Sequence, residues 1–589
     1  MSGTERPNGD AGWARSFAAV FAVAAVLLVV VTAPAILARR YPDPDDVLRM
    51  VQVRDLLAGQ GWFDLTQHRI DAPSGGVAMH WSRLVDVPLA LAILLLSPLF
   101  GQPQAETIAS VAIPMATLGC ALALVGRQAA RLTGPQTAFY ACLALCLSVP
   151  MLAQVMPLRI DHHGWQIVTA LAVVAGLTSR DQRRGGWITG AALAVWLAIS
   201  LEGLPLAAAT CGIMALRWLS DPRDKGWFVH TVAALATGSL VLFVATRGLT
   251  DLSNHCDALS PVHLAVFAWA AIAALMLARL DPPARTPLLA GLAAIAAGGA
   301  ALLLALAPQC AVGGFAGMDP LVERFWYRGV AEGQPLWNRS TSLILLTVVP
   351  PLTGLAAIVS LRRDATEERR ALWTDYALLL AAALAVAILV TRAGGVAGAI
   401  AAIPVGWQIG RWFVQLGAAR MRVKAAVALA VLAGAALIVL PGRSVIPPRD
   451  GAGVASPSAA RAPECRVAEA APLLAAMPRG EILAPLDLGP RLLIDSPHTV
   501  IASAHHRGQP GMRFAIEVFL GSPKAGHEAL ASRGTAYVAL CPGISEVAHF
   551  VAAAPDGLLA QLAAGREFAW LEPLPVPAGS NLKVWRIST

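Results

Sequence analysis

The stretch Ile160-Asp161-His162-His163-Gly164 stands between two long apolar runs, about 134–156 and 164–179. A carboxylate and two imidazoles at a membrane helix end are costly to bury and are metal-ligand types, so they point to chemistry at a membrane surface. The runs around them decide the fold class. Of 589 residues, 56% are apolar and 14% charged, a balance far from that of soluble domains. The first run, Phe17 to Leu37, matches the roughly 20 residues that span a hydrocarbon core. Arg6 and Arg15 precede it, and the proline in Ala33-Pro34-Ala35 argues against a cleavage site. It reads as a retained first helix after a cytoplasmic segment, residues 1–16.

Further apolar runs lie at about 105–126, 134–156, 164–179, 186–200, 203–218, 227–246, 262–278, 288–308, 341–360, 371–391, 396–411 and 425–441, which makes about 13 spans over residues 17–445. The net charge of +8 raises the question of nucleic acid, but the basic residues sit in short connections. Arg127/Arg131, Arg180/Arg183/Arg184, Arg217/Arg223/Lys225, Arg279/Arg285, Arg362/Arg363/Arg369/Arg370 and Arg411/Arg420/Arg422/Lys424 occupy every second loop. The positive-inside rule explains them as orientation signals, and no nucleic-acid partner is expected.

That alternation places outside the loops carrying Asp161 (157–163) and Glu202, residues 247–261, residues 309–340 and everything after about 442. The run Val85 to Phe100 breaks the count, since a crossing there would turn every later basic loop outward. It is assigned as an interfacial or partly inserted helix of the first external loop, 39–104; the alternative is that it spans and another short run does not. This loop carries six arginines, which long loops tolerate and which an anionic ligand would explain. From about 446 to 589 the composition turns mixed and polar around short runs such as Tyr537-Val538-Ala539-Leu540, the pattern of a separate soluble α/β domain outside the membrane. Of the eight cysteines, Cys120, Cys142, Cys146 and Cys211 lie in apolar runs as packing residues. Cys256, Cys310, Cys465 and Cys541 fall in external segments, where a bridge such as Cys465 to Cys541 can form.

Three acidic sites share the outer side: Asp43-Pro44-Asp45-Asp46 followed by Arg49, Asp161-His162-His163, and Glu332 in Val330-Ala331-Glu332-Gly333-Gln334-Pro335. Asp43, Asp46, Asp161, His163 and Glu332 can close around one divalent cation, with oxygen-rich ligation favouring Mg²⁺ or Mn²⁺ and the histidine tilting toward Mn²⁺. Each taken alone also reads as a helix cap, a turn or a solvated charge.

The same residues resemble the catalytic subunit of oligosaccharyltransferases. Asp43-Pro44 with Arg49, then Gly59, Phe63-Asp64 and Pro73, is similar to its first external loop; Asp161-His162-His163 looks like the second-loop motif of archaeal members; Val330 to Pro335 resembles the fifth-loop motif. With about 13 spans and an external C-terminal domain, the chain resembles the family C glycosyltransferase superfamily over about three-quarters of its length. The resemblance implies a polyprenyl-linked sugar donor, Asp43 as the first-loop catalytic aspartate, Asp161 and His163 as metal ligands and Glu332 as the fifth-loop glutamate. Other members carry an Asp-Asp pair after the first helix, and on that pattern Asp45 or Asp46 would be the active carboxylate. Oligosaccharyltransferases hold the acceptor sequon with Trp-Trp-Asp-Tyr-Gly, which is absent here; the nearest stretch is Pro485-Leu486-Asp487-Leu488-Gly489-Pro490. The acceptor is therefore open among glycan, lipid and protein.

A bound cation would neutralise the leaving phosphate or pyrophosphate, and arginines would add bidentate phosphate contacts. Arg49, Arg83 in His80-Trp81-Ser82-Arg83, and Arg507 in Ala504-His505-His506-Arg507 are the candidates, with His80, Trp81, Glu202 and Gln334 as further substrate-side residues. Arg83 also reads as a side chain snorkelling to headgroups, and Glu202 as a helix-terminal carboxylate in water. His505 and His506, being adjacent, point in different directions on most backbones and need not share a metal. The expected setting is a bacterial inner (plasma) membrane with the N-terminus cytoplasmic. Competing readings are a flippase for lipid-linked glycans, which should show internal repeats and ionisable groups at mid-membrane, and a non-catalytic envelope assembly protein.

Overall fold

The computed structural model describes residues 8–249, 251–315, 317–417 and 465–588. They form two compact units, one containing 82–314 and 331–417 with the chain before residue 41, the other containing 41–81, 315–330 and 465–588. The apolar run 425–441 and the stretch 446–464 lie outside the described residues.

The first unit is helical. Among the described residues, ten helices are long and apolar enough to cross a membrane. The difference from about 13 has local causes. The run 134–156 breaks into Pro135–Cys146 and Val149–Leu152, because Pro150 cannot continue the preceding helix. The run 164–179 is the 15-residue helix His163–Leu177, and Gln182–Ile199 spends its first five residues on Gln182-Arg183-Arg184-Gly185-Gly186. In the other direction, Arg83–Phe100 forms an 18-residue helix that meets the length and composition of a span. The sequence expectation had made this run an interfacial helix.

Val30, Val31 and Leu37 on the first helix stay exposed, as side chains facing lipid should. Inside, small residues let helices approach: at Gly190 an added Cβ would collide with the Thr231 carbonyl of Lys225–Thr246. A disulfide joins Cys256 to Cys310.

The second unit is built on a five-stranded mixed sheet. Numbering strands along the chain, β1 (Thr66–Gln67) and β2 (Val77–Ala78) form a small antiparallel pair. β3 (Glu481–Leu483), β4 (Thr499–Val500), β5 (Tyr537–Leu540), β6 (Leu571–Pro573) and β7 (Lys583–Ile587) lie in the order β4-β3-β5-β7-β6. β3 is parallel to β4 and β5, while β7 is antiparallel to β5 and β6. β5 is buried on both faces, which explains its continuous apolar run. The soluble α/β fold expected after 446 is present, and the segment 41–81 belongs to the same unit. The Asp71 N–H donates to the Val500 carbonyl at 2.9 Å and the Val500 N–H to the Arg69 carbonyl at 2.9 Å. Arg533 clamps Asp71 (2.6 Å) and Glu481 (2.7 Å), so one guanidinium ties the early loop to β3. Leu48 and Val51 of the helix Pro44–Leu57 enter the same core as Ile482 and Val500. Cys465 and Cys541 are bonded, a pairing that the sequence leaves possible.

Candidate active site

In the first unit the decisive side chains sit at element ends. Leu158 takes a left-handed backbone (φ 72°), which costs a leucine about 1–2 kcal/mol, and its N–H donates to the Ser110 carbonyl at 2.9 Å. The chain then turns through Asp161 and His162, and His163 opens the helix His163–Leu177. Gly164 follows because the helix start is pressed against its neighbours: a Cβ there would stand 3.1 Å from the Gln154 carbonyl oxygen. Asp161, His162 and His163 are all at least 95% buried. Asp161 Oδ1 pairs with His162 Nδ1 at 2.5 Å, and Asp161 Oδ2 lies 3.4 Å from His163 Nε2.

Two other short turns complete the cluster. Glu332, in Ala331–Gly333, places Oε1 3.7 Å from His163 Nε2. Glu202, in Leu201–Gly203, places Oε2 3.9 Å from His163 Nδ1. Arg392, in Thr391–Ala393, reaches Glu202 at 2.6 Å and Glu332 at 3.7 Å, while Arg159 lies 4.0 Å from Glu332. Burial would raise the Glu332 carboxyl most, but His163, Arg392 and Arg159 together hold it below its ordinary range. Gln334 contributes its backbone: its carbonyl accepts from the Thr391 hydroxyl at 2.7 Å, fixing the glutamate turn against the Arg392 turn.

These residues fit a divalent cation. Asp161, Glu332 and His163 offer two carboxylates and an imidazole, and the buried His163 Nε2 has no hydrogen-bond partner among the described residues although two carboxylate oxygens flank it. Trp196 Nε1 donates to Gln166 Oε1 at 2.9 Å, so the Gln166 amide nitrogen faces Glu202 (3.0 Å) and His163 Nδ1 (3.3 Å). The Gln166 amide thus holds the ring from its Nδ1 side, with Glu202 3.9 Å from that nitrogen, and leaves Nε2 facing the carboxylates.

Asp43, Asp45 and Asp46 lie in the second unit. Asp43 caps the helix Pro44–Leu57 by accepting the Asp45 N–H at 3.0 Å, and Asp45 and Asp46 fill its first turn, where carboxylates favour the helix dipole. Asp46 and Arg49 are fully buried, and the Arg49 guanidinium stacks 4.4 Å over Trp81. His80 meets His505 at 3.0 Å, and Arg507 donates to the Ala78 carbonyl at 3.3 Å. In the first unit Arg83 is fully buried beside Asp86 at 3.2 Å, which is an interior ion pair and not a side chain reaching for headgroups.

By sequence, the chain matches no family model and no curated protein. By structure it is similar to the archaeal oligosaccharyltransferase AglB from Archaeoglobus fulgidus in complex with an inhibitory peptide and a dolichol-phosphate, with a TM-score of 0.65 over 95% of this chain and 72% of that one at 12% identity. The Archaeoglobus fulgidus oligosaccharyltransferase tethered with an acceptor peptide gives 0.63 over 97% and 74% at 13% identity. The same enzyme in complex with Zn and sulfate gives 0.59 over 92% and 70% at 13% identity. The fold is that of these oligosaccharyltransferases.

Within this fold, four participants escaped sequence reasoning: Arg159, Gln166, Trp196 and Arg392. Gln166 falls three residues after His163 on a helix, hence on the same face. Arg392 carried a sharper signal. It lies between the runs 371–391 and 396–411, in a loop that the charge alternation places outside, so it is a cation on the side where cations are disfavoured.

Proposed function

We propose that this chain is a membrane glycosyltransferase that moves a sugar or glycan from a polyprenyl-phosphate or polyprenyl-pyrophosphate donor to an acceptor outside the cytoplasm, at the cluster of Asp161, His163 and Glu332. The observation that carries the reading is the convergence of these three residues, from separate turns of this fold, around the buried His163 Nε2. A lipid-linked donor agrees with the dolichol-phosphate held by AglB, and a divalent cation agrees with the donor set. Both disulfides join segments that the charge rule places outside, which supports an oxidising compartment for that side.

Asp161, His163 and Glu332 would hold Mn²⁺ or Mg²⁺, whose chemistry is to neutralise charge developing on the leaving phosphate. Arg392 already touches the cluster and carries the planar fork that matches a phosphate, so it binds donor oxygens and turns toward them from its carboxylate partners. Glu202 and Gln166 orient the His163 ring. A first-loop aspartate, Asp43, Asp45 or Asp46, orients or deprotonates the acceptor as general base. Arg49, Arg507 and Trp81 are the candidates for donor contacts in the second unit.

The test uses full-length protein in nanodiscs supplied with polyprenyl-linked sugars and an envelope extract, with mass spectrometry following release of the polyprenyl phosphate. Turnover should depend on Mn²⁺ or Mg²⁺ and collapse in Asp161→Asn and Glu332→Gln. Wild-type turnover in both variants would sink the assignment, and retention of lipid movement without sugar release would favour a flippase.

A further inference from the structure

A second group of metal-ligand side chains lies in the second unit and shares no residue with the Asp161 cluster. His80 follows β2, whereas His505 and His506 follow β4, and His80 Nδ1 stands 3.0 Å from His505 Nε2. The His506 ring centroid lies 4.8 Å from that of His80 and 4.7 Å from that of His505. One ring nitrogen from each of the three falls within 4.8 Å of the other two.

The convergence reverses the expectation for adjacent histidines and has a backbone cause. His505 is extended (φ −138°, ψ 122°), whereas His506 begins the short turn His506–Gly508. That change of conformation swings the second ring back beside the first, with the two planes 28° apart. Aromatic rings close the group: Trp81 stands edge-on to His505 at 5.5 Å and Phe315 edge-on to His506 at 5.0 Å. His505 is only 3% exposed. Each of the three offers a ring nitrogen toward the other two.

We infer that His80, His505 and His506 form a binding site for a borderline divalent transition-metal cation, of the Zn²⁺ or Co²⁺ kind, separate from the oxygen-rich Asp161 cluster. Imidazole suits such cations, as carboxylate suits Mg²⁺ and Mn²⁺. The His80–His505 pair is near the spacing of two ligands, and the His506 nitrogen lies within 4.8 Å of both. Two nitrogens bound at about 2.0–2.1 Å to a tetrahedral centre are roughly 3.3 Å apart, so the His80–His505 pair opens by a few tenths of an ångström to admit the ion. The Arg507 N–H approaches His505 Nδ1 at 3.4 Å, so Nε2 holds the ring proton and shares it with His80. Metal on Nε2 moves that proton to Nδ1 and releases the long Arg507 contact. The ion would cross-link the turn after β2 to the turn after β4.

The experiment titrates chelator-stripped, full-length protein in nanodiscs with Co²⁺, whose visible ligand-field bands report nitrogen ligation. One saturable equivalent should appear, survive in Asp161→Asn and in the presence of excess Mg²⁺, and disappear on adding Zn²⁺. His505→Ala and the more exposed His80→Ala should each weaken binding by more than the roughly 10- to 100-fold that outer-shell partners cost. Circular-dichroism melting without metal checks that each variant folds. Absence of bands in the wild-type protein overturns the inference, as does their loss in Asp161→Asn or their persistence in a folded His80→Ala variant. The Asp161→Asn arm separates this site from the proposed catalytic one: sugar transfer fails there while the cobalt bands remain.

Discussion

The Asp161 cluster and the His80 cluster solve the same electrostatic problem in opposite ways. The first gathers negative charge, three carboxylates around one imidazole, and balances it with Arg392 and Arg159. The second gathers three imidazoles between aromatic rings. A charged cluster can exchange one cation for another, so arginines and a metal would compete for the same oxygens, which fits the phosphate-handling role proposed for it. A cluster of imidazoles suits the cross-link inferred for it.

The comparison breaks first at Asp161. Asp161→Asn keeps the shape and removes the charge, and turnover should fall about 10²- to 10³-fold, the usual scale for losing one group that stabilises developing charge. The second unit should be unmoved, with its melting temperature within a degree or so of wild type. A matched loss of second-unit stability would mean that the substitution acts through folding and not through chemistry.

Removing the second unit's own staple gives the reverse result. Cys465→Ser with Cys541→Ser opens a bridge between residues 76 positions apart, which should cost about 2–4 kcal/mol. Hydrogen exchange should accelerate in β3, β5 and β7 and remain slow in His163–Leu177. Acceleration in both units alike would show that they unfold as one.

Glu202 sharpens the comparison inside the first cluster. If it orients His163 through Nδ1, Glu202→Gln should weaken Mn²⁺ binding about 10- to 100-fold, read by electron paramagnetic resonance. A helix-terminal carboxylate with no such role leaves Mn²⁺ affinity unchanged.

The two clusters were not equally legible. Asp161, His163 and Glu332 stand out in sequence because a charge in an apolar chain needs a reason, and the periodicity of basic loops assigns their side of the membrane. His80 carries no such signal: its partners lie 425 positions away, and only the turn at His506 makes the rings converge. The same limit hid the membership of residues 41–81 in the second unit, which rests on long-range pairings such as Asp71 with Arg533. The Pro150 break was missed, because hydropathy alone counts 134–156 as one span. Arg392 was readable in principle, as a lone cation in an outer loop, and was overlooked because one arginine looks ordinary.

The smallest effect separates the carboxylates of the two units by their response to pH. Glu332 sits among cations and is held low, whereas Glu546 in the second unit is buried beside Asp487, and burial first, then the Asp487 charge, pushes its carboxyl well above the ordinary 4.5. Its oxygens accept the Leu486 and Asp487 N–H groups at 2.7 and 3.0 Å, which only partly offsets those two influences. The folded state therefore keeps a proton that the unfolded chain has lost. Between about pH 4.5 and the raised value, the folded state binds more protons than the unfolded one, so stability falls as pH rises and levels off once the folded carboxyl has ionised. Melting of the second unit from pH 5 upward should show this decline, and Glu546→Gln, whatever its baseline cost, should flatten it. An unchanged slope in that variant would transfer the proton to another group, and a stability that rises over the same window would reverse the assignment.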